Sequence, residues 1–340
     1  MIEMDKPNLL VIVLNYRTVE MTLRAVQAAL IDMCQTSAAR AELVIVDNDS
    51  GDGSAALLEQ AISDRGWGSE APVRLIRASQ NGGFGAGNNI AMRAGMSDGS
   101  VPNFVHVVNS DAFLDPGCIA TLLAHLQARP QVGIVGSHVR GEDDLPHTTA
   151  FRFPSIGGEF EGAARIGPIT RLLKSHVVAP PLPAQAARVD WVAGASVMLR
   201  SEMLREIGLF DEKYFLYFEE TDLCLRAARA GWECWYVPQA RCVHVGSVST
   251  GMKEGRRLPR YWFDSRDRYF TKNHGGGYTL MALLARLAGT GLHHLRCLLT
   301  GRKTEEAPGF ARDLLAHALT CNRHQTTTAT TPRPATEDRP

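Results

Sequence analysis

The run Leu43-Val44-Ile45-Val46-Asp47-Asn48-Asp49-Ser50-Gly51-Asp52-Gly53-Ser54 decides how this chain is read. Four consecutive branched apolar residues stop abruptly at a cluster of acids, amides and glycines. An apolar run without alternation is what a strand buried on both faces of a parallel sheet requires. The polar cluster then marks the carboxyl end of that strand, where open α/β sheets bind their ligands. The device occurs twice more: Leu9–Leu14 closes on Asn15-Tyr16, and Phe104–Val108 closes on Asn109-Ser110-Asp111. Between these runs the pattern predicts helices over about 18–33, 54–63 and 88–97, a strand over 73–77 and a Gly/Asn-rich turn over 80–89. Strands alternating with helices in this way give right-handed βαβ units in an open, mostly parallel twisted α/β sheet with flanking helices.

The rest of the chain bounds the problem. At 340 residues it can bury a large core. Its 36 basic and 36 acidic residues cancel, so no global field points to nucleic acid. The seven cysteines are scattered without C-x-x-C spacing, as expected of reduced thiols in a cytosolic compartment. Leu9–Leu14 is too short for a signal peptide or a membrane span. Prolines and glycines over 145–188 read as a loop-rich excursion. Residues 253–272 combine Lys253, Arg256, Arg257, Arg260, Arg266, Arg268 and Lys272 with five aromatic rings, which fits a surface that meets anionic lipid head groups as well as it fits a solvated helix packed on the core, and 278–299 read as an amphipathic interfacial helix. Residues 276–321 form a C-terminal helical extension on this reading, and the Thr/Pro/Arg-rich tail from 322 is expected to be disordered.

Several clusters could carry chemistry. Asp47 and Asn48 can hydrogen-bond a base or ribose, or can simply build an Asx-type turn. Asn81-Gly82-Gly83-Phe84-Gly85-Ala86-Gly87-Asn88-Asn89 holds more glycines than a tight turn needs, which suggests close backbone approach to a ligand. Asp111 is a hard oxygen donor placed to hold Mg²⁺ or Mn²⁺ against a diphosphate, or to cap the next helix. His244, alone in an apolar strand, reads as a satisfied core residue sooner than as a ligand unless a carboxylate lies near it. In Tyr217-Phe218-Glu219-Glu220-Thr221-Asp222 three carboxylates crowd one helical turn. Asp222 and Arg226 are spaced for an i, i+4 pair, which leaves Glu220 as the acid able to face a substrate, with Glu219 the second choice.

Taken in order, Val11–Tyr16, Val46–Ser50, Asn81–Asn89, Val108–Asp111, Gly194–Arg200, Gly208–Arg226 and His244 resemble glycosyltransferase family 2, in particular its bacterial rhamnosyltransferase-like branch. The resemblance implies a GT-A fold over 1–275, with a nucleotide-sugar-binding half at 8–115 and an acceptor half at 116–275. It implies that Asn15, Asp47 and Asn48 contact the nucleoside, and that Asn81, Gly83, Phe84, Asn88, Asn109, Ser110 and Asp111 lie along the donor. Asp111 matches the last acid of the family's D-x-D-type metal motif, whose first position is Asn109 here. His244 matches a position that ligates the metal in related galactofuranosyltransferases. Glu219-Glu220 stands where the family has Glu-Asp, so Glu220 would be the catalytic base. The implied reaction is inverting, metal-assisted transfer from a dTDP- or UDP-linked sugar, rhamnose by overall likeness. The acceptor would be a saccharide or polyprenyl diphosphate-linked saccharide of the cell envelope, met at the inner face of the membrane. Two other classes compete: a nucleotidyltransferase, which residues 79–89 disfavour by lacking any Lys or Arg, and a non-catalytic nucleotide-sugar-binding module.

Overall fold

Strands β1 (Asn8–Asn15), β2 (Arg40–Asp47), β3 (Val73–Arg77) and β4 (Phe104–Asn109) alternate with helices α1 (Val19–Gln35), α2 (Ser54–Asp64) and α3 (Gly83–Ala94). The computed structural model describes residues 6–68, 73–246, 257–304 and 306–327. These four strands run parallel in the order β3-β2-β1-β4. Leu9–Val13 and Leu43–Val46 are fully sealed from solvent because helices cover both faces. Leu9, Val11 and Val13 belong to the core with Ala25, Val26 and Leu30 of α1, while Leu10 and Ile12 belong to the core with Ala91 of α3. Each such side chain contributes ~1.5–3 kcal/mol on leaving water. The strand order turns at β1, and there the register sets Asn15 beside Asp47 and Leu14 beside Asn109. The polar ends of three strands therefore share one rim.

The second half continues with β5 (Ala112–Leu114), α4 (Cys118–Gln127), β6 (Val132–Arg140), β7 (Ala150–Phe151), α5 (Ile156–Ala164), α6 (Gly167–Leu172) and β8 (Ala187–Val189). It goes on through β9 (Trp191–Val192), β10 (Ser196–Arg200), α7 (Ser201–Ile207), α8 (Glu219–Arg229) and β11 (Glu233–His244). β10 runs antiparallel between β4 and β6, and β11 lies parallel to β6 with β5 antiparallel at its far side. The result is the expected mixed, mostly parallel sheet with flanking helices. Three helices, α9 (Arg260–His274), α10 (Gly276–Thr300) and α11 (Phe310–Thr327), complete the described chain.

Four expectations change. The glycine-rich stretch is not a turn preceding a helix at 88; α3 already begins at Gly83. Its glycines make room for protein. A β-carbon on Gly83 would sit 1.9 Å from the Phe215 carbonyl oxygen, on Gly85 2.9 Å from Phe210 Cβ, and on Gly87 2.5 Å from Leu14 Cδ1. Residues 145–188 are not simply loop: they contain α5 and α6, with Ser155 Oγ capping α5 by accepting from the Gly158 N–H at 3.1 Å. α5 packs against α10 so tightly that a β-carbon on Gly289 would lie 2.6 Å from the Phe160 carbonyl oxygen.

The basic stretch is the third. Arg257 pairs with Asp313, Arg266 with Glu159 at 2.7 Å, Arg268 with Asp211 at 2.5 Å, and Lys272 with both Asp211 and Asp222 at 2.8 Å. Its charges mostly clamp α9 onto the domain rather than face a lipid surface; Lys253 and Arg256 lie outside the described residues. Lastly, α11 runs on to Thr327, past the expected start of the tail at 322; residues 328–340 lie outside the described part.

If Gly83 is a packing glycine, Gly83→Ala will cost far more than Gly99→Ala. Both positions have positive φ, but Gly99 has nothing within 4 Å of its added carbon. The expected losses by chemical denaturation are ~1–2 kcal/mol for Gly99→Ala and at least ~3 kcal/mol for Gly83→Ala, where overpacking adds to the strain.

Candidate active site

At the rim, Asn15 is fully buried and its side chain is spent internally. Its Nδ2 donates to Asp47 Oδ1 at 2.7 Å, and its Oδ1 accepts from Thr22 Oγ1 at 2.7 Å. Ser50 Oγ donates to the same Asp47 oxygen at 2.6 Å. Asp47 is thereby fixed in orientation with Oδ2 less committed. Asn48 Nδ2 reaches Asn81 Oδ1 at 2.9 Å and the Gly83 carbonyl at 3.1 Å, tying the end of β2 to the start of α3. Asn88 is fully buried: its Nδ2 returns to the Phe84 carbonyl at 2.9 Å, supporting the turn that carries Phe84, while its Oδ1 is sealed and accepts no hydrogen bond among the described residues. Ser110 joins this network through Thr18 Oγ1 at 3.1 Å.

A second group lies across the end of β4. His244 Nε2 stands 3.0 Å from Asp111 Oδ1 and 3.4 Å from Asn109 Nδ2, because β5 pairs His244 with Ala112 at the end of β11. Asn109 Oδ1 is buried and accepts no hydrogen bond among the described residues. No group of three or more His, Cys, Asp or Glu residues with metal-binding geometry occurs among the described residues. Yet the donor set fits a divalent ion of the Mg²⁺ or Mn²⁺ kind. Such ions bind through one or two protein side chains and take the rest of their shell from phosphate oxygens and water. Asp111 and His244 supply that pair, and the orphan amide oxygen of Asn109 lies beside them.

The third group is the carboxylate pair at the start of α8. Tyr217 and Phe218 both have left-handed backbones, with φ of 70° and 68°. Each such non-glycine residue costs on the order of 1–3 kcal/mol and persists only where its surroundings hold it. Here the hold comes from α3: the Phe84 N–H donates to the Phe215 carbonyl at 3.0 Å, directly over Gly83. The strained pair turns the chain into α8 so that Glu219 points inward beside Gly85, while Glu220 lies beside Gly194. One oxygen of each carboxylate is sealed and unpartnered. Burial, and then the neighbouring Glu220, push Glu219 well above the ordinary carboxylate range; burial pushes Glu220 up as well. Asp222 behaves oppositely. Burial alone would raise it, but Lys272, Asn273 and Arg226 hold it below its ordinary value.

The Gly194-Ala195 peptide joins the second and third groups, since the Ala195 carbonyl accepts from the Asn109 N–H at 2.9 Å. Glu220 lines a cavity of about 480 Å³ that Asp111 and His244 do not line. Its walls include Trp191, Tyr217, Phe218, Trp262 and Arg286, none of which the sequence singled out as site residues. Their contributions come from four separate parts of the chain, and no local motif brings them together.

The comparisons with known proteins bear on the family and the fold. Residues 7–264 match the family described as Glycosyltransferase like family 2. The N-acetylglucosaminyl-diphospho-decaprenol L-rhamnosyltransferase of Mycobacterium tuberculosis (strain CDC 1551 / Oshkosh) is 30% identical over 230 residues, covering 64% of this chain and 70% of that protein. Rhamnosyltransferase WbbL of Escherichia coli (strain K12) is 26% identical over 166 residues, covering 48% and 60%. Among solved structures, mannosyltransferase PcManGT from Pyrobaculum calidifontis, in complex with GDP-Man and Mn²⁺, matches with a TM-score of 0.53 at 16% identity, covering 96% of this chain and 84% of that one. The last likeness speaks to the fold, which is GT-A.

A carboxyl with a raised folded pKa contributes its stability below its unfolded pKa and loses that contribution as pH rises through the folded value. At neutral pH the crowded pair thus weakens the fold. Glu219→Gln is expected to raise the melting temperature on the order of 2 °C at pH 7.5, with the gain vanishing near pH 4 when both forms are uncharged.

Proposed function

We propose, since this chain belongs to glycosyltransferase family 2, that it moves rhamnose from a dTDP- or UDP-linked donor, with inversion, to a sugar hydroxyl of a saccharide carried on a polyprenyl diphosphate. Transfer of a sugar from a nucleotide sugar follows from the family; the sugar is read from both rhamnosyltransferase relatives and the acceptor from the Mycobacterium tuberculosis one alone. The observation that carries the chemistry is Glu220, a half-buried carboxylate with one oxygen sealed and a raised pKa, at the wall of a cavity large enough for a sugar. A base with its pKa lifted toward neutrality is better matched to accepting a hydroxyl proton than an ordinary carboxylate.

In this reading the acceptor enters the cavity and Glu220 takes the proton of its hydroxyl. The freed oxygen forms a bond to the anomeric carbon as the bond to the nucleoside diphosphate breaks on the opposite face. Asp47, held by Asn15 and Ser50, presents a carboxylate oxygen to the nucleoside, while Asn48 and Asn81 anchor the neighbouring backbone. Asp111 and His244 would hold a divalent ion, which when bound supplies charge stabilisation to the departing diphosphate. Asn15 and Asn88, both fully buried, act by positioning other groups.

Placement at the inner face of the membrane rests on α10. No helix among the described residues is long and apolar enough to cross a membrane. However, Leu280, Met281, Leu284, Leu295, Leu298 and Leu299 are each half or more exposed, and Arg302 and Lys303 are exposed just beyond them. At about 100° per residue these positions fall on one face, and an apolar face ending in cations suits an anionic lipid surface.

Glu220→Gln should lower transfer by ~10²–10⁴-fold with nucleotide-sugar affinity unchanged, measured by product formation and by titration. In the wild type, the acidic limb of kcat/KM should lie above the ordinary carboxylate range, because only the ionised base is active. Chelation should abolish transfer and added Mn²⁺ should restore it; full activity in chelator would remove the metal from the scheme. Flotation with anionic vesicles should fail for a Leu284→Ser, Leu295→Ser, Leu298→Ser triple variant.

A further inference from the structure

Arg286 is the group in this molecule with the clearest unmet demand. It projects from α10 into the cavity that holds Glu220, lying outside residues 7–264, where the family match ends. Its guanidinium makes no ion pair and no hydrogen bond among the described residues, and its Nε is sealed from solvent without an acceptor. The other carboxylates on the cavity wall are engaged elsewhere. Glu159 accepts from Arg266 at 2.7 Å, and Glu161 accepts from Thr170 Oγ1 at 2.6 Å. Glu306, the remaining nearby acid, is taken by Thr290 at 2.9 Å and His294 at 3.2 Å. The contact Arg286 does make is with a ring face: its guanidinium carbon lies 4.8 Å from the Phe310 centroid. That contact fixes the plane of the fork while leaving its N–H groups available.

A half-buried cation without a partner is costly. An arginine is also always charged and presents a planar fork matched to two oxygens of a phosphate. The same cavity offers aromatic walls: Trp191 is held rigidly, stacked on Phe151 at 4.1 Å with its indole N–H bonded to the Arg152 carbonyl, and Phe218 and Trp262 meet edge to face at 6.0 Å. Aromatic walls with a few convergent polar groups are the usual makeup of a small-molecule site.

We propose that Arg286 binds a phosphoryl group attached to the acceptor sugar, so that the cavity takes a glycosyl phosphate or diphosphate with its sugar hydroxyl at Glu220. The inference rests on the sugar-transfer reading above and extends it, assigning to a residue of the C-terminal extension the selection of phosphorylated over neutral acceptors. The donor also carries a diphosphate, but in this assignment that group lies at Asp111 and His244, beyond the Gly194-Ala195 peptide.

The test is a binding titration on the full chain with two probes: N-acetylglucosamine linked through a diphosphate to a short isoprenyl chain, and the neutral octyl glycoside of the same sugar. The wild type should bind the diphosphate probe at least tenfold more tightly than the glycoside. Arg286→Gln should erase that preference, Arg286→Lys should retain part of it, and glycoside and dTDP-rhamnose affinities should stay within twofold. Equal affinity of the wild type for the two probes, or an unchanged preference in Arg286→Gln, overturns the assignment. So does an equal loss toward dTDP-rhamnose, which would place Arg286 at the donor. Should Arg286→Gln unfold, the Lys variant and the wild-type preference still decide. Failure of the sugar-transfer reading would look different: no nucleotide sugar would bind the wild type at all.

Discussion

The contact between the first turn of α3 and the segment before α8 is the constraint on which the site depends. Gly83 allows the Phe215 carbonyl to approach where any side chain would collide, and the Phe84 N–H then bonds to it. That bond crosses from the half of the sheet that carries Asp47 and Asn48 to the half that carries Glu220. It also anchors a backbone stretch that would not hold its own shape, since two adjacent aromatic residues sit in the left-handed region. Strain of this kind persists only when packing over-determines it. Phe218 has that packing, against Trp262 and Tyr269, and Tyr217 stacks on Tyr261. The position of the carboxylates is thus a tertiary property, enforced by α3 from one side and α9 from the other.

The same enclosure sets the electrostatics. Two adjacent carboxylates in one helical turn are tolerable on a surface, where they complement the helix dipole. Buried, they compete, and Glu219, with no ion pair among the described residues, is driven furthest toward the protonated form. Asp222, three residues on, is equally sealed, but Arg226, Lys272 and Asn273 surround it and keep it ionised. One turn of helix therefore holds an acid that stabilises α8 against α9 and a pair whose ionisation the fold resists. Only the second kind has anything to gain from a reacting proton.

Where one strand end or one helical turn carries the information, the sequence was readable. The strand at 73–77, the polar stops after β1, β2 and β4, and the Asp222–Arg226 pair at 2.9 Å all follow from spacing and periodicity. The glycine-rich stretch was misread because glycine meets two demands that composition cannot tell apart, approach by a ligand and approach by protein backbone. Gly157 and Gly158 misled in the same way, reading as loop while lying inside α5. The basic stretch at 253–272 left a lipid-facing surface and a packed helix equally open because the partners of its described residues, Glu159, Asp211, Asp222 and Asp313, are distant in sequence. The cavity walls were invisible for the same reason: Trp191, Phe218, Trp262 and Arg286 share no motif.

α10 gathers these features into one element. Arg286 and Leu284, two residues apart, face about 200° away from each other, so the helix turns a cation toward the cavity and an apolar row toward the outside. Gly289 lets it approach α5 closely enough to close the cavity wall. A substrate whose reacting sugar is joined through phosphate to a long apolar chain presents the same order of chemistries: hydroxyl, anion, hydrocarbon. In the proposed acceptor complex Glu220 of α8, then Arg286 and the leucine row on α10, would meet them in that order. The rotation of α10 about its own axis is therefore under two constraints at once. A turn that buried the leucines would withdraw the guanidinium from the cavity.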